Sequence, residues 1–242
     1  MKDIEGIVIS EKPYSETSKL VRILTTEGII DLLAKGARTL KSDLRVSTTK
    51  MTYGIFHMQY KENKLSTLNS VDIIDNFKNI KKDIKKISYA SYIMELAIDV
   101  IKQNINPNIF KILISSLKKI DEGEDIELIT NILEIKYLEY LGVMPVIDGC
   151  AVCGSKTSIA TISSTRGGYI CNNCLTNEKI VDKKTIKLLR MLYYVNIDSI
   201  ESINISNKIK KELNDFIDEY YDFYTGLYLK SKAFLKNLNR IK

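Results

Sequence analysis

One histidine and no tryptophan occur in 242 residues. Catalysis through imidazole would have to be built around His57 alone, which sits inside the strand-like run Ile55-Phe56-His57-Met58-Gln59 and reads as structural. Also missing are a Gly-x4-Gly-Lys-Ser/Thr phosphate loop, a Gly-x-Gly-x-x-Gly turn after a strand and a His-Glu-x-x-His helix. Glu122, Glu124 and Asp125 fall in a turn, where acids serve solvation better than proton transfer. Together these absences predict a protein that is not an enzyme. No uncharged apolar run reaches the ~18 residues of a membrane span; the best candidate, residues 87–101, is interrupted by Glu95 and Asp99. Met1 to Glu5 leads straight into strand-like sequence without a secretory pattern, so the expectation is a cytoplasmic protein with reduced thiols.

Cysteine is scarce but not scattered. All four form two pairs, Cys150-x2-Cys153 and Cys171-x2-Cys174, with 17 residues between them. Each Cys-x-x-Cys turn aims two sulfurs at one ion, and the gap suits a β-hairpin that brings the second turn back to complete a tetrahedron. Gly154, Gly167-Gly168 and Asn172-Asn173 stand where the backbone must bend. Four thiolates leave no open position, so the spacing predicts one structural Zn2+ in an insert over about residues 148–179. Two disulfides would need an oxidising compartment, and a redox dithiol would be expected near a βαβ pattern, which is absent.

Between residues 4 and 74 the pattern is that of five short strands divided by turn signals: residues 5–10, 19–25, 28–34, 52–60 and 64–74. Five strands in this length suit a small closed barrel. An OB-fold is the commonest such barrel, and an SH3-like one stays open. Beyond residue 76 the period becomes 3.6. Residues 87–101, 109–120 and 126–141 carry helix-period apolar stripes, and helix resumes at 182–195 and 209–238, while the lysine-rich stretch 78–86 reads as a solvated hinge. The fold class is α+β, with a barrel over residues 1–77 and a helical domain over 78–242 that contains the cysteine insert.

Net charge is +6 with a pI near 8.9, which suits a nucleic-acid partner without requiring one. What matters is clustering. Between the third and fourth strands, Lys35, Arg38, Lys41, Arg45 and Lys50 face a single acid, Asp43. Three- and four-residue spacing places the first four on one side to neutralise phosphates, Gly36 permits close approach, and Thr39, Ser42, Ser47, Thr48 and Thr49 offer hydroxyls. The bland alternative is a solvated loop in a lysine-rich chain. For base stacking, Tyr14 and Tyr53 are favoured over Phe56 and Tyr60, whose spacing with Met58 on the fourth strand suits barrel core.

Four stretches in this order resemble the bacterial RecO family of recombination mediators over the whole chain. They are Gly6-Ile7-Val8-Ile9 through Tyr14-Ser15-Glu16-Thr17-Ser18-Lys19-Leu20-Val21 to Leu33-Ala34-Lys35-Gly36-Ala37-Arg38; Tyr89-Ala90-Ser91-Tyr92-Ile93-Met94-Glu95-Leu96; Leu141-Gly142-Val143-Met144-Pro145 with both cysteine turns; and Tyr228-Leu229-Lys230-Ser231-Lys232-Ala233-Phe234-Leu235. The resemblance implies an N-terminal OB-fold, a helical C-terminal domain and an embedded zinc ribbon. It also implies a non-enzymatic, nucleoid-associated protein. Such a protein binds single- and double-stranded DNA, anneals complementary strands, and works with RecR, and in many bacteria RecF, to load RecA onto strands coated by single-strand-binding protein (SSB). Recognition of SSB's acidic, phenylalanine-ended tail would fall to the helical domain. Arg190 is one candidate there, with an ordinary solvated helix residue as its plain alternative. Two other classes are weighed: a zinc-ribbon OB-fold RNA-binding module, and a cysteine-based redox or metal enzyme.

Overall fold

The computed structural model describes residues 1–61, 64–201 and 205–238. Five strands come first: β1 (Lys2–Pro13), β2 (Lys19–Thr25), β3 (Gly28–Ala34), β4 (Tyr53–Gln59) and β5 (Ser66–Asp75), with the short helix α1 (Leu44–Ser47) between β3 and β4. They close in the order β1-β2-β3-β5-β4. All pairings are antiparallel except β3 with β5. This is an OB-fold barrel. Its interior is filled by Ile4, Val8, Val21, Ile23, Leu32, Phe56, Met58 and Leu68.

Strand β1 shows why barrel and helices form one body. Ile7, Val8 and Ile9 are all buried, which a strand with one wet face would not allow. Val8 points into the barrel, whereas Ile7 and Ile9 join Leu24, Met51 and Tyr53 in a core shared with the helices. Phe77 and Ile80 belong to that same core. The stretch 78–86 is therefore not the solvated hinge expected. It holds helix α2 (Lys78–Lys81), whose Ile80 is fully buried and donates its backbone N–H to Asp121 Oδ1 at 2.7 Å.

The helical region comprises α3 (Ile84–Gln103), α4 (Pro107–Glu122), α5 (Ile126–Tyr140), α6 (Lys183–Tyr194), α7 (Asn207–Tyr224) and α8 (Lys230–Leu238), with the hairpin β6 (Ile159–Ser163) and β7 (Gly168–Cys171) between α5 and α6. The starts of these helices are written in the sequence. Asp83, Asn106, Asp125, Asp182 and Ser206 each cap α3 to α7 through a side-chain oxygen, and Pro107 takes the first turn of α4, where no N–H is needed. Asp125, expected as a solvated turn acid, is thus a capping group, and it also pairs with Lys210. The predicted continuous helix over 209–238 is corrected to two, because α7 stops at Tyr224 and Gly226 follows in the left-handed region, φ 63°, where helices end.

Beneath α8 lies a buried polar cluster. Glu95 accepts the Lys230 and Ser231 backbone N–H groups at the head of α8. Lys232 sits 2.7 Å from Asp218 Oδ1 and 3.6 Å from Glu134 Oε1, while the Tyr92 hydroxyl donates to Glu134 and the Tyr221 hydroxyl to the Glu134 backbone carbonyl. Burial pulls the Lys232 ammonium towards its neutral form, but Glu134 and Asp218 outweigh it and raise its pKa. Burial also lifts the Glu134 carboxyl, against the pull of Lys232 and Tyr92.

Candidate nucleic-acid interface and metal centre

The segment joining β3 to β4 runs over the barrel's rim. Lys35, Arg38, Lys41, Arg45 and Lys50 are all exposed, and none forms an ion pair with another described residue. The backbone arranges this. The Arg38 N–H donates to Thr17 O at 2.9 Å, its guanidinium donates to Ser15 O at 2.5 Å, and Lys19 Nζ reaches Arg45 O at 3.5 Å. The cationic segment is thereby tied to the β1–β2 loop, which carries Tyr14, 58% exposed. Tyr14 also borders a groove of about 330 Å3 with Lys12, Leu20, Arg22 and Leu65. So the structure ties Arg38 to the loop that carries Tyr14, across a sequence gap that spacing could not bridge.

Two expectations fail here. Tyr53 offers no face to a base: it is 5% exposed, its ring stacks on Phe77 at 6.3 Å and touches Phe110 at 6.4 Å, and its hydroxyl donates to Glu5. Burial, then Glu5, hold that hydroxyl protonated. It belongs to the junction of barrel and helices. Four of the five hydroxyls expected to serve phosphates, all but that of Ser42, are also committed, since Thr39 donates to Gly36 O, Ser47 to Asp43 O, Thr48 to Leu44 O and Thr49 to Val46 O. They fold the segment rather than line a site. Phe56 and Met58 are barrel core as read, whereas Tyr60 lies past the end of β4, exposed, with Lys2 Nζ 4.8 Å from its ring centre.

His57 is on the barrel's outer face. Nδ1 lies 2.8 Å from Asp3 Oδ1 and Nε2 lies 3.0 Å from Asp72 Oδ2, so one ring joins β1, β4 and β5. A neutral imidazole has one N–H for these two acceptors, and hydrogen bonding to Asp3, then Asp72, raises its pKa. No nucleophile accompanies it in these contacts.

The cysteines converge. The sulfurs of Cys150, Cys153, Cys171 and Cys174 all lie within 4.8 Å of one another, and Cys153 Sγ is 3.6 Å from Cys171 Sγ. A tetrahedron with metal–sulfur bonds of about 2.3 Å has edges of about 3.8 Å, so the donor set fits a thiolate-bound ion such as zinc. Cys150 and Cys171 are buried. The first knuckle is closed by Gly154 N–H to Cys150 O at 2.8 Å, and the two halves are joined by Ala151 N–H to Tyr169 O at 2.7 Å. Val146 bridges to β7 on both sides of Gly168, so close that a Cβ there would meet Val146 O at 2.2 Å. Only glycine fits that crossing. Burial works to raise the Cys150 thiol, but backbone hydrogen bonds from Cys153, Cys171 and Val152 bring it down to about 6, while hydrogen bonding to Cys153, then burial, push Cys174 up to about 12. A cation displaces such shared protons on binding.

Sequence reading missed what anchors this unit. Arg166 donates to Cys174 O at 3.0 Å and Glu178 Oε1 at 2.8 Å, and that pairing holds the Glu178 carboxyl down at about 2. The Tyr169 hydroxyl donates to Ile186 O of α6 at 2.6 Å. Arg190 is exposed and paired with Asp148 at 2.8 Å. No sequence pattern signals these partners, which lie 12 or more residues apart in most cases.

An OB-fold barrel with an exposed cationic segment, fused to helices that carry a four-cysteine unit able to hold a metal ion, defines the class of the protein. Comparison narrows the class. The family models for the N-terminal and C-terminal parts of recombination protein O match residues 1–77 and 81–233. The chain is 36% identical to the DNA repair protein RecO of Listeria innocua over 245 residues, covering 99% of this chain and 96% of that one. It is 35% identical to the DNA repair protein RecO of Bacillus subtilis, over 98% and 95% of the two chains, and 33% identical to that of Bacillus pumilus, over 98% and 94%. The chain belongs to the RecO family of DNA repair proteins. Among the described residues no helix is long and apolar enough to cross a membrane.

Proposed function

We propose that this protein is a non-enzymatic recombination mediator. It binds single- and double-stranded DNA through the barrel rim, anneals complementary strands, and with RecR and RecF helps to load RecA onto SSB-coated strands. The observation that carries the reading is five exposed cations with no ion pair among the described residues, on a segment of the OB-fold barrel that Arg38 ties to the loop carrying the exposed Tyr14. Unpaired cations release counterions on meeting phosphates, and a neighbouring ring takes a stacked base. Tyr53 is not part of this surface. Neutralising two strands lowers their repulsion enough for pairing, and the helical region receives the SSB tail. The residues fit one Zn2+ on Cys150, Cys153, Cys171 and Cys174. The ion would hold the hairpin to its knuckles, and no step of strand handling passes through it.

The test is annealing of complementary oligonucleotides coated with the cognate SSB, with and without this protein, and again with SSB lacking its acidic tail. Tail-dependent acceleration is the expected result. No acceleration at moderate salt by folded, zinc-loaded protein overturns the mediator reading.

A further inference from the structure

Helix α6 carries an outward stripe that the rim does not use. Lys183, Lys187, Arg190 and Tyr194 follow one another at intervals of four, three and four residues, so they share one face, flanked by Lys184 and Met191. All six are exposed, while Thr185, Ile186, Leu188, Leu189 and Leu192 are buried on the other side. At 1.5 Å per residue the stripe is about 17 Å long.

Three observations separate it from an ordinary solvated face. Lys183 and Lys184 occupy the first turn directly after the capping Asp182, and no further acid stands in that turn. Neither they nor Lys187 forms an ion pair with a described residue. The far end is held in place: Tyr194 donates its hydroxyl to Asp148 Oδ2 at 3.0 Å, Arg190 meets Asp148 Oδ1 at 2.8 Å, and the guanidinium lies 5.6 Å from the Tyr194 ring centre. That ring is 58% exposed. Unpaired cations leading to a fixed ring, packed edge-on with Tyr193 at 4.8 Å and still more than half exposed, are the two parts of a single-strand contact.

We infer that α6 is a second nucleic-acid contact surface, binding the phosphate backbone of a strand along Lys183, Lys184 and Lys187 and stacking a base on Tyr194. The barrel packs on α3 and α4, whereas α6 packs on α5, α7 and β6. The rim and the stripe therefore belong to different layers and can hold two strands at once. The four-cysteine unit acquires a purpose in this arrangement, because Asp148 and Tyr169, which position α6, are both part of its frame. The inference rests on the reading of this protein as a nucleic-acid binder, and its test separates the α6 surface from the rim.

Zinc-loaded wild type, a K183Q/K184Q/K187Q variant and an R38A/K41A variant are titrated with a fluorescent 30-nucleotide strand over a range of salt. Capture of a second, non-complementary strand is measured at limiting protein, and lysine acetylation of wild type is mapped by mass spectrometry with and without DNA. The expected result is protection of Lys183, Lys184 and Lys187 by DNA. The triple variant keeps the wild-type melting temperature, lowers the salt slope by about 2 and loses second-strand capture. Unchanged slope and capture, with equal acetylation, overturns the inference; if R38A/K41A still weakens binding, the rim reading survives alone. If neither variant alters binding, both assignments fall. An effect of the triple variant alone sustains the α6 surface and overturns the rim.

Discussion

In the barrel, Lys35, Arg38, Lys41, Arg45 and Lys50 stand in solvent with no ionic partner among the described residues, whereas in the helical region Lys232 is drawn between Glu134 and Asp218 beneath α8, and four thiols crowd into one corner of a hairpin. The difference separates charge that builds the protein from charge left for a partner. A buried charge must be matched inside the molecule or it destabilises the fold. An exposed one is screened by water and salt, contributes little to folding and remains available to phosphates. Failure in the helical region should therefore be structural and abrupt, and failure at the rim functional and graded.

The strongest test of that contrast is the metal centre. Cys171→Ser is expected to abolish zinc retention and lower the melting temperature by about 10 °C or more, since each kcal/mol moves a protein of this size by about 2–4 °C and structural zinc supplies several. Metal analysis beside calorimetry checks it, and a tightly bound, fully stable variant would break the comparison. Lys232→Ala should cost about 3–5 kcal/mol by leaving Glu134 buried beside Asp218 with no cation, read from denaturant unfolding. At the junction, Tyr53→Ala should cost about 3–5 kcal/mol in stability without changing the salt slope of DNA binding, because its ring is core and not a stacking platform. Arg38→Ala and Lys41→Ala should each reduce the salt slope by about 0.7–0.9 and leave unfolding within about 0.5 kcal/mol.

The smallest effect concerns His57. Its pKa is raised above the ordinary 6.5 by hydrogen bonds to Asp3 and Asp72. The imidazolium's contribution is fully present below 6.5 and is lost as pH rises through the folded value. Wild type should thus lose slightly more stability than His57→Gln between pH 5.5 and pH 8, measured by paired melting curves. Identical pH profiles would remove His57 as a clasp across β1, β4 and β5.

Much of this was legible in advance. The segments 19–25 and 28–34 coincide with β2 and β3, since alternating apolar residues and tight turns act over a few residues. The two Cys-x-x-Cys turns pointed to convergence for the same reason: ligand geometry is local within each turn, and only the hairpin has to bring the turns together. Tyr53 was misread because an aromatic next to a cationic loop looks like a stacking ring until the helices that cover it are in place. The hydroxyls of Thr39, Ser47, Thr48 and Thr49 looked free because nothing in their spacing announces that each bonds a carbonyl three or four residues back.

By itself the sequence determined the strand and helix periods, the helix caps, the four-cysteine set and the cluster of cations, because each depends on residues close together in the chain. Tertiary structure decided which tyrosine faces solvent, which lysine is buried, and that Arg38 bonds the loop carrying Tyr14 while Tyr194 is fixed by Asp148. Exposure and partnership depend on what other segments bring to the same place, and those contacts join residues whose separation along the chain carries no signal.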